Sequence, residues 1–64
     1  MKKFVVLENC ELDFYSHNTE KEKETIFFSV GNVIHAIGNI QRDEWILNTD
    51  AGFFKAKKGA VQEL

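Results

Sequence analysis

From Phe4 to Phe14 the even positions carry Phe4, Val6, Cys10, Leu12 and Phe14, interrupted only by Glu8, while the odd positions after Leu7 are Asn9, Glu11 and Asp13. A period of two sends alternate side chains to opposite faces of an extended chain. The segment therefore predicts a half-buried strand that bends or bulges near Glu8-Asn9, with Cys10 on the apolar side. The stretch from Ser16 to Glu24 has no large apolar residue and ends in the run Glu20-Lys21-Glu22-Lys23-Glu24. With nothing to bury, it reads as an exposed loop, a single helical turn being the alternative.

Thr25-Ile26-Phe27-Phe28-Ser29-Val30 and Val33-Ile34-His35-Ala36-Ile37 flank Gly31-Asn32. β-branched and aromatic residues on both sides of a turn-forming pair predict strand, tight turn, strand. Gly38 to Glu44 reads as a second polar connection, and Trp45-Ile46-Leu47-Asn48 as the next strand. Thr49-Asp50-Ala51-Gly52 then reads as a turn in which Gly52 supplies a positive φ. Phe53 to Lys57 returns as a strand, Lys58-Gly59 breaks it, and Ala60 to Leu64 is spaced for a last short strand. Adjacent strand residues face opposite ways. One phenylalanine of Phe27-Phe28 and one of Phe53-Phe54 should therefore lie outside, unless a bulge intervenes.

Short strands separated by turns, without an amphipathic helix, predict an all-β fold, either a small barrel or a sandwich. A barrel of about five strands leaves fewer unpaired edges. The 64 residues suffice for one domain, residues 1–64, with a small core drawn from the 44% hydrophobic content. A formal net charge of −2 removes the general attraction on which nonspecific nucleic-acid binders depend. The single cysteine excludes an intramolecular disulfide and suits a reducing compartment. Lys2-Lys3 followed by Cys10 mimics a lipoprotein signal. The apolar run Phe4-Val5-Val6-Leu7 is too short, since a secretory segment needs roughly 7–15 apolar residues and a spanning helix about 20. The expected location is the cytoplasm, with no membrane contact.

The segment from Ile26 to Ile37 resembles the diverging turn of Src-homology-3 domains. The order that follows is similar too: a polar loop, a strand opening with Trp45, a turn ending in Gly52, Phe53-Phe54, a one-turn break at Lys57-Lys58-Gly59-Ala60, and Val61 to Leu64. The resemblance is best over residues 25–64 and is general in character over 4–24. It implies an Src-homology-3-like barrel and matches Trp45 to that family's groove tryptophan. The proline-binding groove itself departs from the pattern, with no proline in the chain and Tyr15 its only tyrosine. The layout is also similar to small barrel proteins of bacteria and phages.

No residue set assembles an enzyme. Cys10 on an apolar parity reads as a small buried hydrophobe, inert as a nucleophile. His35 shares its parity with Val33 and Ile37 and could take either face; His17 sits in the predicted loop with no cysteine or histidine at metal-ligand spacing. No catalytic residue, metal, cofactor or small-molecule substrate is expected. The expected function is a non-catalytic protein-interaction module whose aromatic face docks another protein or a second copy. Trp45 would be its anchor, beside Tyr15 and Phe53 or Phe54, with Glu22 and Glu24 at the rim. A largely core Trp45 is the competing reading. Nucleic-acid binding through a strip of Lys55, Lys57 and Lys58, joined by Lys2 and Lys3, is the alternative. A minor structural component of an assembly such as a phage particle is the third.

Overall fold

The computed structural model describes residues 1–17 and 23–64. The chain is all-β, with no helix among the described residues. Its strands are β1 (Lys2–Val6), β2 (Cys10–Ser16), β3 (Glu24–Phe28), β4 (Val33–Gln41), β5 (Glu44–Asn48), β6 (Gly52–Lys57) and β7 (Val61–Glu63). All pairings are antiparallel, in the order β3-β2-β6-β5-β4-β1-β7. The expected count of about five becomes seven. The strand from Phe4 to Phe14 is divided at 7–9, and the sides of the predicted loop are the ends of two strands, β2 and β3, that pair with each other.

The parity read from the sequence persists across that division. Phe4, Val6 and Leu12 are buried, and Cys10 packs on the core they form with Ile34, Ala36, Leu47, Ala56 and Val61. Phe28 and Phe54 pack against the same cluster, which leaves Phe27 and Phe53 on the other side of their strands. Phe14, Phe54 and Phe28 form a chain of ring contacts, with centroids 4.7 Å and 5.5 Å apart.

β1 and β2 stand four places apart in the sheet, yet residues 7–9 connect them. In a flat sheet four spacings would span about 19 Å, whereas the four steps from Val6 to Cys10 reach at most about 14 Å. The sheet must curl. Leu7 N donates to Ala60 O at 2.8 Å, tying the β1–β2 break to the turn between β6 and β7. The ladders end on β3 and β7, which do not pair with each other, so the sheet is open at those edges and the expected barrel closure is not made by strand pairing.

Gly31-Asn32 lies in a turn, as predicted, but the flanking strands part. Gly31 N donates to Val6 O, Val6 N to Asn32 O, and Val30 N to the Asn9 side chain, all at 2.8 Å. These bonds hold the turn against β1 while β3 goes to β2 and β4 runs between β1 and β5. The polar connection expected from Gly38 to Glu44 is largely strand. β4 continues to Gln41, and only Arg42 and Asp43, at φ 51° and 64°, turn the chain into β5. Polar Asn39 and Gln41 are exposed there at alternate positions, a pattern that hides a strand among loop-like residues.

Candidate functional site

The outer face of β2, β6, β5 and β4 gathers the side chains that the core parity leaves over. Tyr15 pairs with Phe53, Phe53 with Asn48, and Asn48 with Ile37, making one row across the four strands. The neighbouring row is Asp13, Lys55, Ile46 and Asn39. Directly paired residues point to the same side, so these rows share a surface.

Tyr15 and Phe53 stack at 5.0 Å between ring centroids and 13° between planes. Lys55 Nζ lies 5.2 Å from the Tyr15 ring centroid, within cation–π range, and His17 adds a tilted ring 6.3 Å from Phe53. Ile37 closes the far end of the row at 60% exposure. The result is a surface with the Tyr15–Phe53 stack at one end of a row and Ile37 at the other, Asn48 between them, and Asp13, Lys55, Ile46 and Asn39 alongside.

Gly52 is what lets β6 approach β2 here. It pairs with Ser16, and a Cβ at position 52 would run into the Tyr15 carbonyl oxygen and crowd the Phe14 ring. Its φ is positive, 159°, as expected, a conformation that side chains rarely adopt, so backbone and close approach both require glycine here. The turn itself is held by Thr49, whose N–H and hydroxyl both donate to Gly52 O, at 2.7 Å and 2.9 Å.

The expected site residues do not all meet. Tyr15 and Phe53 do. Trp45 lies on the other side of the sheet, paired with Ala56 and Ile40, and meets buried Phe4 edge-on at 5.0 Å and 67°. It is half-buried and packed on the core. Glu24 is exposed at the start of β3 but pairs with Phe14, on the core parity, and so does not rim the Tyr15–Phe53 surface. Glu22 lies outside the described residues, as do Glu20 and Lys21. The acidic group that does border the stack is Asp13, bonded to the Thr25 hydroxyl at 3.4 Å and ion-paired with Lys23 at 3.6 Å.

The lysines are dispersed. Lys57 pairs with Glu44, Lys55 with Asp13, and Lys58 occupies the turn before Ala60. Lys2 and Lys3 are on β1, separated from β6 by β5 and β4, and Lys2 is ion-paired with Glu63 at 3.7 Å.

A cleft of about 270 Å³ opens where β2 and β6 part, since their ladder ends at Asp13 and Lys55. Glu8, Glu11, Asp13 and Glu44 line it together with Lys55 and Lys57, and Cys10 is also part of its lining. Burial first, and the Glu8 carboxylate second, push the thiol pKa above its ordinary value. It is a poor nucleophile there, with no histidine lining the cleft to activate it. His35 is exposed, between buried Ile34 and Ala36. Among the described residues no group of three or more His, Cys, Asp or Glu could hold a metal ion, and no helix is long and apolar enough to cross a membrane.

Ile37 and Ile46 belong to the outer surface but could not be found by sequence reasoning. Their flanking residues are apolar on both parities, so neither their face nor their neighbours across the sheet can be read without the register. No protein-family model, curated protein or solved structure matches the chain.

Proposed function

We propose that this chain is a non-catalytic interaction module, a partly open Src-homology-3-like barrel that binds another protein through the outer face of β2, β6, β5 and β4. The barrel reading rests on two bent strands. β1 and β2 act as halves of one, β6 and β7 as halves of another, and the Leu7–Ala60 hydrogen bond joins the two breaks. The surface has the mixed chemistry of a protein interface: stacked aromatics and isoleucines interspersed with amides, a lysine and a carboxylate.

The observation that carries this reading is the Tyr15–Phe53 stack on the solvent side of the sheet, in one row with Ile37. Trp45 has a different task from the anchor expected of it, supporting Phe4 in the core. Nucleic-acid binding is the weaker reading, because Lys55 and Lys57 each have a carboxylate directly across the ladder and form no uniform basic strip. A cytoplasmic location is part of the proposal and rests on the lone cysteine.

The test is comparative capture from a lysate of the source organism, using wild type and the Tyr15→Ser/Phe53→Ser double variant. A partner retained by wild type should be lost by the double variant while circular dichroism shows it still folded. Equal retention by the folded double variant would refute the assignment of this surface.

A further inference from the structure

The two edges of the sheet are protected very differently. β7 spans only Val61–Glu63, its Glu63 is ion-paired with Lys2, and the Leu64 amide beyond it is taken by Lys3 O. Shortness and charge of this kind blunt an edge against pairing. β3 is longer, and its single charge, Glu24, stands at its first residue. It runs for five residues, Glu24–Phe28, is paired only with β2 among the described residues, and contains no proline. Thr25-Ile26-Phe27-Phe28 combines β-branched and aromatic residues without charge, and Phe27 is 61% exposed. Among the described residues, one side of this strand has no ladder partner, and the natural complement of such backbone donors and acceptors is another strand.

We propose that the β3 edge is a self-association site, where β3 of a second copy pairs antiparallel about a two-fold axis through Ile26. The free edge is bounded at its end, because Ser29 N bonds to the Asn32 side chain and Val30 N to Asn9. Only a register centred on Ile26 overlaps all five residues, and it keeps core parity facing core parity. It sets Ile26 against Ile26 of the second copy, Thr25 against Phe27 of the second copy, and Glu24 against Phe28 of the second copy. No like charges are opposed. The aromatic–β-branched pair occurs twice by symmetry, and the two Phe27 rings come within diagonal reach. The site is separate from the Tyr15–Phe53 surface and does not depend on the function proposed for it.

The test is sedimentation equilibrium of the full chain from about 10 μM to 1 mM, the range in which an interface this small is expected to associate. Wild type should approach twice the monomer mass at the upper end. Phe27→Lys should remain monomeric with unchanged circular dichroism, and Thr25→Lys should behave likewise. Amide shifts that move with wild-type concentration should cluster on Lys23 to Ser29. A wild type monomeric throughout would overturn the proposal and leave the edge to a strand of another polypeptide. Dimerisation by Phe27→Lys equal to wild type, or moving shifts centred on Tyr15, Phe53 and Ile37, would overturn it in favour of a different surface.

Discussion

Gly38 leaves the space that the Phe4 ring fills: a Cβ at position 38 would run into the tip of that ring. Phe4 is fully buried, lies against Trp45, and belongs to the strand that β4 pairs with on its other side. Gly38→Ala should therefore overpack the core and cost about 1–3 kcal/mol. A domain of this size has on the order of 3–5 kcal/mol in all, so urea unfolding should show a large fall in midpoint. In the Phe4→Leu background the same substitution should cost less, since the ring it meets is gone.

Trp45→Ala should destabilise the chain by on the order of 3 kcal/mol, the usual scale for removing a large aromatic from a core, whereas Trp45→Phe should retain most of the stability. Thermal melts of both variants check this. A folded Trp45→Ala with wild-type melting would contradict the placement of the indole against Phe4.

At the β4–β5 turn, Arg42 and Asp43 both adopt positive φ, a conformation that side chains disfavour and that two-residue hairpin turns fill best with asparagine and glycine. Replacing the pair by Asn-Gly should stabilise by about 0.5–1 kcal/mol, raising the melting temperature by a few degrees. An unchanged or lower melting temperature would argue against this turn.

Trp45 and Gly38 also show where sequence reading stops. In β2, apolar and polar residues alternate, so its faces are legible, while in β6 the aromatic pair shows that one ring points outward without saying which. In Trp45-Ile46-Leu47 every residue is apolar, and parity cannot say which one faces the core. Only the register that pairs Trp45 with Ala56 and Leu47 with Phe54 settles it. Gly38 looks like a turn residue because glycine's lack of a side chain serves turns and close packing alike. The stack of Tyr15 on Phe53 depends on the β2–β6 ladder, which joins residues too far apart in sequence for local pattern to pair them.

The Cys10 thiol should titrate late. Burial, aided by Glu8, raises its folded pKa above the ordinary 9.0. The group thus favours the protonated folded state: its stabilising contribution is full below the unfolded pKa and is lost as pH rises through it towards the folded value. The rate of alkylation against pH should have its inflection higher in the native protein than in the urea-unfolded chain, and Glu8→Gln should bring the native inflection down. Coincident native and unfolded profiles would contradict the packing of Cys10 against the core.

Gel shifts on single-stranded DNA should show no retention even at about 50 mM salt, because Lys57 faces Glu44 and Lys55 faces Asp13. Retention that falls steeply with added salt would restore the lysine reading.

The arrangement of rings about the sheet is most directly tested by nuclear Overhauser contacts between aromatic side chains in solution. Cross-peaks linking Tyr15 to Phe53 and, separately, Phe4 to Trp45 are expected, with none between the two pairs. Cross-peaks from Trp45 to Tyr15 or Phe53 would put all three on one face and contradict both the register and the binding surface built on it.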